Sequence, residues 1–545
     1  MIKTTDLNIW INHWTQSIVF LFTNMGENKM KRNRTNGFGL DLIWLALGCA
    51  AYALIGWRWS APVAAWIAPV FLLRFFRNQE KWYVPLVALP CLYAAFLTNM
   101  IGAWDLPLIA QIVLPAIVPL PLLLVLYVDR ALAPGLTGLG STLVFPAATV
   151  AMDYLVGFTP LGTLFSFAST QFAFTTIIQT ASITGIWGIS FLIAWFASVV
   201  NNAWENGFDL RPGGLRPGSS RPGGRLARLA SSPAVLFTAV ALLVLTYGSV
   251  RIATSASGTS SPSRPQTVRV AGITVEHPRN YWALLDLGTP REEVARYRQE
   301  MHRIEDRLFE QSSRAVQAGA RIVFWAEGNG VVPEEDLERF ISRSMDFAKT
   351  NDIYFAPGIL ELRYGTSMNY NEVLMFTPQG QLAFTYQKTK SWLPVDSDGQ
   401  IKTVETPYGT LAAAICFDLD FPAFLRQAAR AGTDIMLVPG YDSERIRPFH
   451  TEPALIRGVE GGYSVIRQVN EGTSMAADSR ANVLARQDYF MTADRLMLAD
   501  VPTRGNRTLY RYLGDWFAWA SAALLVLLAG LAVFRGSRNR HAAAS

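Results

Sequence analysis

The feature that most constrains this chain is a series of apolar runs whose connecting segments alternate in charge. The runs lie at 39–57, 60–76, 83–104, 107–128, 140–157, 180–200, 233–250 and 513–534. Each falls in the range of about 17–25 residues that a helix needs to cross a hydrocarbon core of about 30 Å. Seven precede a long polar region and one follows it. The second is short and contains Pro62 and Pro69, and the fourth holds Pro115, Pro119 and Pro121. Membrane helices tolerate prolines where neighbours satisfy the freed carbonyls.

The segment before the first run carries Lys29, Lys31, Arg32 and Arg34. Alternate loops then carry Arg74, Arg77 and Lys81, next Arg130, next Arg211, Arg216, Arg221, Arg225 and Arg228, and the tail carries Arg535, Arg538 and Arg540. The opposite set has Arg58, Asp105 and no charge from Phe158 to Ile183. Cations stay on the cytoplasmic side. Both termini are therefore expected in the cytoplasm of a multi-pass membrane protein, with residues of about 251–512 on the extracytoplasmic side.

Composition agrees. Half of the 545 residues are hydrophobic and 17% are charged, against roughly 25% in an average soluble domain, which excludes a disordered chain or a wholly soluble globule. The net charge of +6 does not point to nucleic acid, because many of the cations flank apolar runs instead of lining a soluble face. Three cysteines cannot build a disulfide framework, and Cys49 and Cys91 read as small buried hydrophobes.

The expected organisation is a cytoplasmic or interfacial segment 1–38, a seven-span domain 39–250, a linker 251–266, a polar domain 267–505, a last span 513–534 and a cytoplasmic tail 535–545. Within the first segment, the stretch from Ile9 to Phe22 reads as interfacial, Met25 or Met30 as possible starts, and no cleavable signal peptide is apparent. The repeated Arg-Pro-Gly at 211, 216 and 221 reads as a flexible basic loop.

From Thr267 short β runs alternate with helical stretches, which suggests an α/β layered fold. Strands are expected at Val268–Val275, Arg321–Trp325, Ile353–Ile359, Glu372–Phe376, Leu382–Tyr386, Thr410–Ile415, Asp434–Val438, Tyr463–Gln468, Thr473–Ala477 and Asn482–Ala485. Helices are expected at Arg291–Ala318, Asp336–Ala348, Phe421–Ala431 and Thr451–Gly461. Three reactive side chains stand at strand ends: Glu327 in Val-Phe-Trp-Ala-Glu-Gly, Lys388 in Phe-Thr-Tyr-Gln-Lys-Thr-Lys, and Cys416 in Ala-Ala-Ile-Cys-Phe-Asp. A thiol becomes a strong nucleophile when a base takes its proton or a cation holds its thiolate. A carboxylate suits the role of base, and an ammonium can steady an oxyanion. Taken singly, each also reads as an ordinary loop acid, surface lysine or buried thiol.

Together, Trp-x-Glu, Tyr-x-Lys and Cys-aromatic-acid-x-x-Phe-Pro resemble the carbon–nitrogen hydrolase (nitrilase) superfamily and its Glu-Lys-Cys triad. Ala431–Pro439 resembles that family's strand after the nucleophile. Seven spans, a nitrilase-like domain and a final span resemble the apolipoprotein N-acyltransferase family, and Thr184-Gly-Ile-Trp-Gly-Ile-Ser-Phe-Leu192 is similar to one of its membrane motifs. The resemblance implies an αββα sandwich with Glu327, Lys388 and Cys416 catalytic, and no metal or cofactor. It also implies a phospholipid acyl donor and a lipoprotein or other amine as acceptor. Trp282, Asp396, Phe417 and Asp418 are the candidate substrate-binding residues. The chain departs from the family in having Ala326 for a proline, Phe417-Asp418 for Tyr-Glu, Asp396 as the stand-in for a second carboxylate, and Asp153 where a Glu is common.

Other residues read more plainly. Arg457 and Glu460 suit an i,i+3 salt bridge, Glu405 a turn, and His277 and His450 no metal spacing. A membrane-tethered amidase would use the same triad, and a non-enzymatic scaffold is the reading that intact Glu327, Lys388 and Cys416 oppose.

Overall fold

Eight apolar helical segments answer to the eight apolar runs. The computed structural model describes residues 38–56, 59–103, 108–206, 232–256, 267–277, 291–366, 368 and 370–544. Among these, Leu108–Gly135, Leu139–Val156, Ile186–Glu205, Pro233–Thr254 and Trp516–Arg538 are long and apolar enough to cross a membrane. Asp41–Ala53 and Val84–Met100 are apolar but shorter, and Pro62–Asn78 keeps Pro69 inside its 17 residues. The fourth run is two helices, Leu108–Ile117 and Leu120–Leu132. The break falls at Pro119, which has no N–H to continue the ladder. The sixth helix begins at Ile186, six residues after the expected start, because Gly185 turns the chain at φ 65°. A Cβ there would fall 2.4 Å from the Tyr510 ring. The seventh helix runs on to Ala256 and so takes in the first residues expected to be linker. The interfacial stretch 9–22, the Arg-Pro-Gly loop and Trp282 lie outside the described residues.

The polar domain is built on two sheets. The first runs, in spatial order, Leu496–Pro502, Thr267–Ile273, Ile322–Trp325, Tyr354–Ala356, Tyr370–Phe376, Gly358–Leu362 and Gly330–Pro333, with Leu382–Gln387 paired to Tyr370–Phe376. The second runs Val483–Asp488, Thr473–Ala477, Ser464–Asn470, Ile435–Tyr441, Gly409–Ala413 and Thr403–Thr406. Central strands such as Ile322–Trp325 and Ser464–Asn470 are buried throughout, as strands covered on both faces must be. The sheets face each other closely: a Cβ on Gly272 would fall 2.1 Å from Gln468 Oε1. Helices Arg291–Gln317 and Leu337–Asn351 pack their apolar faces on the first sheet, around Phe309, Trp325, Phe340 and Phe355. Helices Pro422–Ala431 and Ala454–Gly461 cover the second. This is an αββα sandwich, as the resemblance implied.

The expected strand Ile353–Ile359 is two strands, divided at Pro357. Strands Gly330–Pro333 and Leu496–Pro502 were not anticipated. The first is only four residues long, and the second lies at a sheet edge and ends in Asp500, Val501 and Pro502, where the acid and the proline break its apolar run. Glu405 lies in the exposed edge strand Thr403–Thr406, opposite Thr410, so it is a strand residue and the turn is Pro407-Tyr408.

Candidate active site

Glu327, Lys388 and Cys416 come from three different strand ends. Strand Ile322–Trp325 ends just before Glu327, and Gly328 turns the chain away at φ 56°. Strand Leu382–Gln387 delivers Lys388, whose Nζ lies 2.5 Å from Glu327 Oε1. Asn371 Nδ2 donates to the same oxygen at 2.7 Å. The Glu327 side chain is buried and that of Lys388 nearly so, and Glu327 Oε2 has no partner among the described residues. Burial works against the Lys388 charge, but Glu327, the Cys416 sulfur and Asp418 outweigh it and hold its ammonium above the usual lysine range. Cys416 opens a 3-10 turn, Cys416–Asp420, at φ 48°. A left-handed non-glycine residue costs on the order of 1–3 kcal/mol and is concentrated at functional sites. Its Sγ lies 3.6 Å from Tyr441 O and 3.8 Å from Arg467 Nη2.

Asp418 was expected to bind substrate, but its geometry makes it a positioning residue. It is fully buried and accepts from Tyr386 Oη (2.5 Å), Lys390 N (2.7 Å), Ile415 N (2.8 Å) and Thr389 N (3.2 Å). One carboxylate thereby ties the end of the Lys388 strand to the entry of the Cys416 turn. Burial pushes its carboxyl up to about 6 despite these bonds. Phe417 is buried and stacks on Trp392 at 5.6 Å, with Phe421 edge-on. Asp396 is exposed in the segment after Lys388. No hydrogen bond or ion pair among the described residues joins it to Glu327, Lys388 or Cys416.

Lys388 and Lys390 diverge. The strand stops at Gln387, so the period-2 alternation that would aim both lysines alike is lost. Lys390 Nζ instead lies 5.0 Å from the Phe421 ring.

Sequence spacing did not reveal the cluster beside Cys416. Arg467, Asp442 and His450 are all buried. Asp442 Oδ1 contacts His450 Nδ1 at 2.6 Å and Arg467 Nη2 at 3.0 Å, and His450 Nε2 lies 3.4 Å from Asp420 Oδ2. Burial works against the His450 charge, but Asp442 dominates and holds it well above the usual histidine range. Burial would raise the Asp442 carboxyl, yet Arg467 and His450 bring it below its usual value. Cys416, Asp442 and His450 also offer three ligand atoms within 4.8 Å of one another.

The domain is bonded to the membrane helices around this turn. Thr163 donates through N (2.8 Å) and Oγ1 (2.9 Å) to Asp420 O. Arg457 Nη2 donates to Thr163 Oγ1 at 2.7 Å and pairs with Glu460, as its i,i+3 spacing suggested. Glu460 Oε1 accepts from Ile186 N at 2.6 Å. Trp187 Nε1 donates to Asp515 Oδ1 at 2.9 Å, and Asp515, at the start of the last membrane helix, takes a bond on its other oxygen from Arg426 of the domain. Ser443 Oγ donates to Ala103 O at 2.7 Å.

Residues 306–504 match the carbon–nitrogen hydrolase family profile. An apolipoprotein N-acyltransferase of Geobacter metallireducens is 26% identical over 435 residues, covering 73% of this chain and 76% of the relative, membrane helices included. The chain is an apolipoprotein N-acyltransferase-like member of the nitrilase superfamily. It is accordingly an acyltransferase of that superfamily, and its long apolar helices make it a multi-pass bacterial membrane protein. A formamidase of Bacillus thuringiensis is 29% identical, but over only 118 residues, 21% of this chain and 34% of that protein. Among solved structures, an amidase from Nesterenkonia sp. gives a TM-score of 0.36 at 17% identity, covering 45% of this chain and 95% of that one. In such an acyltransferase the Thr184–Leu192 motif joins the two halves of the molecule. Ile186 and Trp187 carry the bonds to Glu460 and Asp515, and Ser190 Oγ reaches Asp153 Oδ2 at 2.8 Å.

Proposed function

We propose that this acyltransferase takes an acyl chain from a phospholipid onto Cys416 and passes it to the free amine of a lipoprotein's diacylglyceryl-cysteine. The observation that carries this reading is the bonding of the nucleophile turn to a membrane loop: the Asp420 carbonyl, four residues after Cys416, is held by Thr163. A thiol fixed at the junction with the membrane helices suits two bilayer-bound substrates, whose effective concentration there is raised by anchoring.

Glu327 Oε2, the free oxygen, takes the proton from Cys416 Sγ. The thiolate attacks the ester carbonyl, forming the S–C bond, and Lys388 Nζ steadies the oxyanion. The ester C–O bond breaks, and the lysophospholipid alkoxide recovers the proton from Glu327. The acceptor amine then attacks the thioester carbonyl and gives its proton to Glu327. The C–S bond breaks, releasing the amide and the thiolate, which the same proton restores to the thiol. Phe158, largely exposed beside the turn-bearing loop, is placed to meet acyl chains. The other aromatics of that uncharged loop are packed: Phe165 lies edge-on to Phe96 and Phe167 to Tyr52.

The catalytic domain is read as extracytoplasmic. The loops that bond to it, around 102–103, 163 and 186, belong to the cation-poor set. Arg77, which is bonded to Asp129, and Arg535 belong to the cation-rich set. Purified protein given phospholipid and a diacylated lipopeptide should yield the N-acylated lipopeptide and a lysophospholipid. Hydrolysis of small amides with no transfer to the lipopeptide would contradict this reading in favour of a tethered amidase.

A further inference from the structure

The acyl-transfer chemistry leaves a buried arginine beside the nucleophile without a role. Arg467 sits in the central strand Ser464–Asn470 with no exposed surface. Its Nη2 lies 3.0 Å from Asp442 Oδ1, 3.0 Å from His450 Nδ1 and 3.8 Å from Cys416 Sγ. Nε and Nη1 have no partner among the described residues. Gly440 makes room for the guanidinium: a Cβ there would come within 3.2 Å of Nη2 and 3.3 Å of Cζ and Nε. An arginine cannot shed its charge when buried, so this site holds a permanent cation in a low-dielectric setting. Cys416, Asp442 and His450 are spaced as metal ligands are, but the guanidinium already brings positive charge to the same atoms.

We propose that Arg467, oriented by Asp442, is a second catalytic cation that holds the Cys416 thiolate. The proposal deepens the acyltransferase function and rests on Cys416 being its nucleophile. The two cations divide the work. When Sγ loses its proton to Glu327, and again when the amine expels it from the thioester, negative charge sits on sulfur, where Nη2 faces it. In the tetrahedral intermediates the charge is on the substrate oxygen, which falls to Lys388. The charged groups around the sulfur are Lys388, Glu327, Asp418, Asp420, Asp442, His450 and Arg467. Of the cations, Lys388 is paired with Glu327, His450 lies between Asp442 and Asp420, and Arg467, although paired with Asp442, also contacts Sγ itself.

The test uses the full chain in detergent with Cys49→Ala and Cys91→Ala, so that Cys416 is its one thiol. It is alkylated at pH 7 with neutral iodoacetamide and, separately, with anionic iodoacetate. Arg467→Gln should slow iodoacetamide roughly tenfold or more, since a unit charge about 4 Å away is lost from a poorly screened site. It should slow iodoacetate further, because the cation also attracts the reagent. Arg467→Lys should recover much of the iodoacetate preference, which a merely structural role would not produce. A folded Arg467→Gln chain with both rates unchanged would overturn the proposal. Should that variant not fold, Lys388→Met decides. With Arg467 still in place, its iodoacetate-to-iodoacetamide ratio should exceed that of free cysteine, and a ratio equal to free cysteine's would overturn the proposal. A parent Cys416 that reacts no faster than the denatured chain would instead unseat the nucleophile reading, so the two failures are distinguishable.

Discussion

At the scale of single residues, the contact between Lys388 and Glu327 makes different demands on each partner. Lys388→Arg keeps the charge but replaces a compact ammonium by a broad planar fork, in a space closed by Glu327 and Asn371. Turnover should fall by roughly 10²-fold or more, the scale for removing one oxyanion donor. Lys390→Ala should retain most activity, because Lys390 lies over the Phe421 ring. Comparing initial rates of lipopeptide acylation by the two variants checks both outcomes. A pH effect belongs to Glu372. Burial first, and Glu361 second, push its carboxyl up to about 7 against the pull of Arg363. The folded state therefore keeps a proton that the unfolded chain releases near its ordinary value, and stability falls as pH rises through that window. Glu372→Gln should stabilise by about 1–3 kcal/mol at pH 8 and hardly at all at pH 4.5, as thermal melts at the two pH values would show. The sequence made the reactive residue types legible, since a thiol, an amine and a carboxylate at strand ends suggest one chemistry. It picked Lys388 over Lys390 by the Tyr-x-Lys context alone, because their geometric separation depends on the strand stopping at Gln387. Nor could it assemble Arg467, Asp442 and His450, which come from three separate stretches of the chain.

At the scale of elements, the Cys416–Asp420 turn is held from two directions. Asp418 binds it to the Lys388 strand, and Thr163 binds it to the loop after the fifth membrane helix. Thr163→Val keeps the shape but leaves Arg457 Nη2 and the Asp420 carbonyl each short of a bond. It should cost about 1–3 kcal/mol and lower turnover, while Thr163→Ser, which restores the hydroxyl, should stay close to the parent. Melting temperature and acylation rate together check this. The element pattern was readable where periodicity was strong, as in Arg291–Gln317 and the apolar helices. It was not readable in Gly330–Pro333, four residues long, or at Pro119 and Gly185, where backbone chemistry divides a continuous apolar run.

At the scale of the whole molecule, the charge alternation of the loops and the placement of the catalytic domain give the same partition. A reporter fused after residue 230 should read as cytoplasmic and one fused near residue 258 as extracytoplasmic. The same side for both would remove the seventh span. The apolar helices were the most legible feature at this level, because bilayer thickness sets run length, while the direction proposed for them rests on cation placement. What it could not show is that Thr184–Leu192 is one of the docking points, since Ile186 and Trp187 meet Glu460 and Asp515 only across separations of 274 and 328 residues. The central claim is that membrane lipid acylates the thiol held at this junction. Intact-protein mass spectrometry after incubation with phospholipid and no acceptor tests it most directly. The account predicts a hydroxylamine-sensitive acyl adduct mapping to Cys416, absent in Cys416→Ala and slow to form in Glu327→Gln. An unmodified Cys416 in a preparation that still acylates the lipopeptide would contradict it.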